Sequence, residues 1–445
     1  MKALKILSRI GVGLLVVAAA ALLVRAVLNY SEGRKLAGAL ADLKAGGVPI
    51  SAGDLALPCS EEDNGARQWR AAESLLDLTN DERALLSRVF LDLVSGKPPA
   101  ERDRARIEAV VARSQKPLGL IHEMAAKPCF LYRDPGSPLS EALIPSAVMM
   151  VTATRLLGFE ALGRAEAGDV PGALDAIRSD LRFAAQIASE GTLMAQLIAV
   201  ADTRMLAGFL EAVCRDRFVD DQSLLRVIGD LEPEAWRGRQ ARAIRGECTL
   251  FIETGLKGLS GARADLPAFW GNLSPLQRFG VWLIRPLLKW DMRTTLPRFP
   301  EAEAQARRPY YETRASLRER ERMIAERPWY AYFSKLLLGN LDAAFMKEAQ
   351  LEATLLAART GLACRLYKSR TGSYPESLGA LVPDLLKEVP IDPFTGQPFV
   401  YRREGEGFIV YSLGSNQKDD GGRSTYMITQ LVMEKDDDVS WRETR

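Results

Sequence analysis

The chain opens on an apolar run. Lys2, Lys5 and Arg9 precede an uncharged stretch from Ile10 to Val24, and apolar character resumes past Arg25 through Leu28. This pattern predicts a transmembrane helix over residues 10–28. A ~30 Å hydrocarbon core asks for about 20 apolar residues, and a snorkelling Arg25 lets Ala26–Leu28 complete the span. A cleaved signal peptide shares the charged start and apolar centre, with small residues at Ala18–Ala21. Leu22, Leu23 and Val24 continue the run beyond any such cut, which favours an uncleaved signal-anchor. By the positive-inside rule the basic tail, residues 1–9, is expected in the cytoplasm and the chain from residue 29 onward on the far side.

From Ser31 to about Ala349 apolar residues recur at three-to-four spacing between Gly and Pro punctuation, with no run of alternating strand residues, so residues 29–340 are expected to be an α-helical domain. Leu75, Leu76 and Leu78 close one helix. Leu85, Leu86, Val89, Phe90 and Leu93 stripe the next, which ends at Gly96-Lys97-Pro98-Pro99, and Ile107, Val110 and Val111 begin another. Phe159, Leu162 and Ala165 lead into Gly168-Asp169, after which Ala173, Leu174 and Ile177 start a new helix. A further helix is expected from Thr192 to Cys214. One helical hairpin without a sustained repeat leaves the body either a bundle or solenoid-like.

Within Phe269–Met292, a helix would place Phe279, Trp282, Leu283, Leu287 and Trp290 on one face beside Arg278, Arg285, Lys289 and Arg293. Two readings stay open: a core helix with snorkelling basic groups, or a helix lying among lipid headgroups. Pro286 is expected to bend it. Arg and Glu alternate over Arg314–Arg327, as on a solvated, ion-paired face.

The chain has 445 residues, 47% hydrophobic and 26% charged, the balance of a folded protein with more than one unit. Lys+Arg 59 against Asp+Glu 57 leaves +2, which provides no field for gathering phosphate backbones, so no nucleic acid partner is expected. The five cysteines show no metal-ligand spacing, and their number is odd. Most are expected as buried apolar residues, with one disulfide, for example Cys59 with Cys129, open to an oxidising compartment. The one histidine, His122, lacks the second histidine of a zinc-binding helix and reads as an ordinary helix residue.

A long helix pattern from about Leu341 to Arg370 then gives way to a different text. Gly372-Ser373-Tyr374-Pro375 and Asp392-Pro393-Phe394-Thr395-Gly396-Gln397-Pro398 set turns. Phe399, Tyr401, Phe408 and Val410 alternate as two antiparallel strands around Glu404-Gly405-Glu406-Gly407. Tyr411-Ser412-Leu413-Gly414, Asp419-Asp420-Gly421-Gly422 and Asp437-Asp438-Val439-Ser440-Trp441 complete the series.

In this order the set resembles the G-type major pseudopilin of type II secretion. The resemblance covers residues 341–445 and implies a small α+β pilin-like domain, a long helix with a short antiparallel sheet. The cleavable leader and early Glu of a pseudopilin are missing, and a helical body stands between anchor and domain, so the domain looks like a module reused on another scaffold. The resemblance also implies calcium. By position, the Leu413 carbonyl and Asn416 match the first calcium-binding turn, and Asp437 or Asp438 the later acidic ligand. Asn416 stands where an acid is usual, and Asp419 or Asp420 can restore its charge. Hard cations take six to eight oxygens of this kind.

The expected whole is mainly α: transmembrane helix, helical body and α+β domain, in a single-pass protein of a bacterial inner membrane with its bulk in the periplasm. No nucleophile elbow, phosphate loop, zinc motif or triad is present in the sequence. The leading expectation is a non-catalytic envelope scaffold for contact with other envelope proteins. A type II secretion-like component and a hydrolase of envelope polymers using two of Glu141, Glu160, Glu190 and Glu247 are the alternatives.

Overall fold

The computed structural model describes residues 2–55, 59–132, 147–260, 274–423 and 438–443, with backbone alone for residues 2–9, 260 and 336–340. Among these the three-to-four spacing is realised as fourteen helices. They are α1 (Lys2–Ala45), α2 (Ala66–Leu75), α3 (Asn80–Val94), α4 (Glu101–Arg113), α5 (Gln115–Ala125), α6 (Ala147–Glu166) and α7 (Val170–Ala188). The rest are α8 (Leu193–Cys214), α9 (Asp221–Asp230), α10 (Pro233–Ser260), α11 (Pro275–Thr295), α12 (Arg298–Ala306), α13 (Tyr310–Ala325) and α14 (Tyr332–Thr371). Three strands follow, β1 (Val400–Glu404), β2 (Gly407–Ser412) and β3 (Val439–Glu443).

The stripe on α3 is buried as its spacing requires, at Leu85, Leu86, Val89, Phe90 and Leu93. Its start is fixed by Thr79, whose side chain accepts from the Glu82 amide while Glu82 accepts from the Thr79 amide, pairing two donors that a helix end leaves open. Gly168 at φ +92° turns the chain between α6 and α7, and Asp169 accepts the Gly172 amide at 2.9 Å. Thr192 caps α8 in the same way.

α1 runs well past the expected span. Its stretch Ile10–Ala45 includes a window apolar enough to cross a membrane, none of it buried. Leu14, Leu15, Val16, Val17, Leu22 and Leu23 all stand exposed.

Two apolar clusters share α14 as a spine. Leu341, Ala344 and Phe345 join the end of α1 and helices α10–α13. Leu351, Leu355, Leu362 and Leu366 join α2–α9 and the sheet. α14 begins nearer Tyr332 than the expected Leu341, and ends at Gly372 with φ +89°.

The sheet is antiparallel in the order β1-β2-β3, Val400 facing Tyr411 and Val410 facing Trp441. The hairpin around Glu404–Gly407 is as expected, with Gly405 at φ +58°. The sheet seats on α14 through Trp441. A Cβ on Gly361 would come within 2.3 Å of that ring, so the helix presents a bare backbone for it to lie on. Arg365 ties the far end of β3 by pairing with Glu443 at 2.6 Å. Tyr401 donates to the Pro375 carbonyl at 2.6 Å, fastening the Tyr374-Pro375 turn to β1.

Cys59 and Cys129 form a disulfide with Cα atoms 6.0 Å apart, and Cys214, Cys248 and Cys364 are buried and free. On α11 the buried face is not the aromatic one. The helix continues through Pro286 and buries Leu288, Asp291, Met292 and Thr295, leaving Phe279 and Leu283 exposed. Arg314–Arg327 is largely a solvated face, with Arg322 pairing to Glu319 at 3.1 Å. Arg320 and Arg327 turn inward instead, pairing with Asp342 and with the buried Asp291.

Candidate functional site

Two groups of acids stand out by burial, one at the end of the sheet and one inside the helical body.

At the end of β2, buried Asp392 organises the backbone. Its Oδ1 accepts the Phe394 amide at 2.9 Å and the Ser412 hydroxyl at 2.8 Å, and its Oδ2 accepts the Leu413 amide at 3.0 Å. This joins the Asp392–Gln397 turn to the loop that follows β2 and fixes where that loop begins. The loop closes on Asp438, just before β3, whose Oδ2 accepts the amides of Asp420 at 3.1 Å and Gly422 at 2.7 Å. Gly422 sits at φ +76°, and a Cβ there would meet the Ile409 side chain at 2.1 Å.

Asn416 donates to Asp420 Oδ2 at 2.9 Å and accepts the Lys418 amide at 2.8 Å. Asp419 faces elsewhere, accepting the Tyr411 hydroxyl at 2.8 Å and the Gly421 amide at 2.9 Å. Those two bonds hold its carboxyl below the usual range. Asp438 is the opposite case. Burial, with Asp420 and Asp419 nearby, pushes its carboxyl up to about 6, and its Oδ1 is buried with no hydrogen-bond partner.

Asn416, Asp420 and Asp438 are therefore linked, Leu413 is held through its amide at the loop's start, and Asp419 is turned toward Tyr411. Asp437 lies outside the described residues. Among the described residues no group of three or more His, Cys, Asp or Glu side chains stands in a metal-holding arrangement. An orphaned carboxylate oxygen beside a second carboxylate is nonetheless a donor set that suits a hard cation.

The second group centres on His122. Its Nε2 lies 3.1 Å from Glu160 Oε2 on α6, its Nδ1 3.2 Å from the Ser179 hydroxyl, and 3.8 Å from Asp180 Oδ1 on α7. Arg164 also pairs with Glu160, at 3.0 Å. The hydrogen bond to Glu160 raises the His122 pKa. Burial raises the Glu160 carboxyl, but His122 and Arg164 outweigh it and leave it lowered. Asp180 is wholly buried, neither oxygen has a hydrogen-bond partner, and burial pushes its carboxyl up to about 8. The cluster thus shifts Glu160 toward the ionised form and Asp180 toward the protonated one. Glu160 and Arg164 also line a groove of about 510 Å³ whose walls include Val89, Ile107 and Phe159.

Of the other acids singled out in the sequence, Glu190 accepts the Tyr132 amide at 2.7 Å. Glu247 is raised to about 7 by burial on α10. Glu141 lies outside the described residues. The acid that joins Glu160 at His122 is Asp180, which the sequence reading passed over. Its signal was an acid inside the buried stripe Ile177, Leu181 and Ala184. Asp202 repeats it, fully buried between Ala199 and Met205 on α8 and raised to about 7 by burial.

No family model, curated protein or solved structure matches this chain.

Proposed function

We propose that the protein is a single-pass, membrane-anchored envelope scaffold whose helical body makes protein–protein contacts and carries a pilin-like, calcium-stabilised cap. The observation that carries this reading is α1, with a long apolar stretch that none of the described residues covers. A soluble protein would hide such a surface, and a bilayer covers it without further structure. The Cys59–Cys129 disulfide supports placing the body on the oxidising side, with the basic tail in the cytoplasm.

Calcium would be held by oxygens of Asn416, Asp420 and Asp438 together with the Leu413 carbonyl that the resemblance adds, Asp437 being the alternative to Asp438 and Asp419, turned toward Tyr411, the alternative to Asp420. Bound there, it would supply positive charge to the Asp438 oxygen that no donor reaches. Asp438 and Asp420 orient the loop around that charge through the amides and amide side chain they already hold.

Membrane fractionation tests the reading. The full-length protein is expected in the membrane fraction, with its body digested by protease added to spheroplasts and protected in inverted vesicles. A soluble, shortened species would replace the anchor with a signal peptide.

A second reading, hydrolysis of an envelope polymer, is favoured by one observation, the His122–Glu160 pair at the edge of the apolar groove. It expects loss of polymer cleavage in Glu160→Gln. Equal cleavage, or none by either protein, returns the cluster to a structural role.

A further inference from the structure

α11 runs beside α1 in the same direction. The Arg25 guanidinium lies 3.4 Å over the Trp282 ring and its Nε donates to the Trp282 carbonyl at 3.2 Å. Further along, Lys289 donates to the Asn29 carbonyl at 3.1 Å, and Arg293 pairs with Glu32 at 3.0 Å. Partner numbers climb together on both helices. The turns of α11 before Trp282 therefore lie alongside the apolar part of α1 that precedes Arg25.

Those turns expose Leu276 (79%) and Phe279 (57%), with Leu283 (48%) just past Trp282, and Leu22, Leu23 and Val24 of α1 are exposed as well. The start of α11 is a finished helix end, since Ser274 and Gln277 exchange side-chain and amide bonds. Where the helices meet, Arg25, Arg285 and Lys289 crowd one another, and among the described residues none of the three pairs with a carboxylate. The Arg285 Nε is buried without an acceptor. An uncompensated cationic knot thus stands at the end of an uncovered apolar row.

We propose that α11 is a second membrane element and that the angle between α1 and α11 seats an anionic phospholipid from the leaflet nearer the body. Its phosphate lies on Arg25, Arg285 and Lys289, and its acyl chains lie along Leu276, Phe279 and Leu283. The proposal rests on the anchor reading. Free phosphate answers the charges but leaves the apolar row bare. A lipid answers both, and the row is continuous with the surface that an anchored α1 gives to acyl chains.

The test places nitroxide labels on the full chain in nanodiscs, through Leu276→Cys and Phe279→Cys. Leu15→Cys gauges the anchor and Phe218→Cys, on the exposed body, gauges water. Collision with oxygen against a water-soluble nickel chelate reads depth. Labels at 276 and 279 are expected to favour oxygen, at shallower depth than Leu15, while Phe218 favours nickel. In native mass spectrometry of the detergent-solubilised chain, phosphatidylglycerol is expected to bind more tightly than phosphatidylcholine, and inorganic phosphate not to displace it. Arg285→Gln is expected to weaken that binding about fivefold, the effect of one basic group at an anionic surface. Water-exposed labels at 276 and 279 with Leu15 in lipid overturn the proposal and leave the anchor standing. A water-exposed Leu15 removes the anchor itself. Equal binding of the two lipids, or displacement by phosphate, overturns the phospholipid seat.

Discussion

Asp180 in the helical body and Asp438 in the C-terminal cap are both buried, and both carry a carboxylate oxygen that no hydrogen-bond donor reaches. Their surroundings differ. Asp180 packs beside His122, whose pKa is raised and which is already committed to Glu160. Asp438 has two backbone amides and otherwise faces Asp420 and Asp419. Burial raises both carboxyls; in the body that favours a proton on the acid, and in the cap the proposed calcium would answer it instead. A buried carboxylate costs several kcal/mol when charged and unpaired, so each solution leaves a distinct dependence on solution conditions.

The largest expected effect is at Asp180. An unfolded Asp ionises near pH 4, whereas burial holds Asp180 protonated to about 8, so the unfolded chain binds fewer protons across that window and stability falls as pH rises through it. His122 adds to the same slope. Its raised pKa contributes stability in full below about pH 6.5, lost as pH climbs through the higher folded value. Asp180→Asn keeps the shape without the charge. At pH 7 it is expected to stabilise the full chain by on the order of 3 kcal/mol and to flatten the fall of Tm between pH 5 and 8, seen in melts across pH. An unchanged slope would mean that Asp180 is ionised in the folded state and that the two regions are alike.

His122→Leu tests the committed partner. It strands Glu160 with Arg164 alone in a buried setting, at an expected cost of about 3 kcal/mol, the lower end for a broken buried pair. Glu160→Gln, by sparing a neutral acceptor, should cost less. Equal losses in denaturant titrations of the two variants would show that packing, and not charge, holds the cluster.

Calcium separates the regions directly. If it binds the folded cap alone, it adds RT ln(1 + [Ca]/Kd), roughly 2.7 kcal/mol at a hundredfold excess over Kd. In the full chain, amide exchange at residues 416–423 and in β2 should slow with calcium against chelator, while α5–α7 stay unchanged. Magnesium should substitute poorly, because it demands a regular octahedron. Replacing Asp438 with Asn should abolish the difference. The same protection with chelator as with calcium would make Asp438 a second Asp180, an acid that simply keeps its proton.

Local chemistry explains what was readable beforehand. Asp169 and Thr192 announced their helices because capping needs only the next three residues, and Asp392-Pro393 with Thr395-Gly396 announced the turn before β1 for the same reason. The link from Asp392 to Ser412 and Leu413 was not readable, since it joins two turns that only the folded sheet brings together. His122 passed for an ordinary helix residue because Glu160 and Asp180 come from two other helices. On α11 the sequence left two readings open: the structure turns Leu288 and Met292 inward toward α10 and α14 and leaves Phe279 out, which the pattern alone did not decide. Periodicity identifies a face and leaves open what covers it.

The smallest effect sharpens the comparison most finely, because it changes sign. Asn416 neutralises one side of Asp420, donating to its Oδ2 at 2.9 Å. Asn416→Asp removes that donor and sets a third carboxylate near Asp420 and Asp438. Without calcium the change should destabilise the loop by about 1 kcal/mol, a lost hydrogen bond plus repulsion on a partly solvated surface. With calcium the same carboxylate becomes a ligand and the apparent Kd should fall. Calorimetric titration of both proteins with calcium, beside their melts in chelator, measures the two halves separately. A destabilised variant that binds no more tightly would show that Asn416 holds the loop closed without facing the ion. The donor set would then shrink to Asp420, Asp438 and the backbone, and a cation would have to find its remaining oxygens in Asp437 and water.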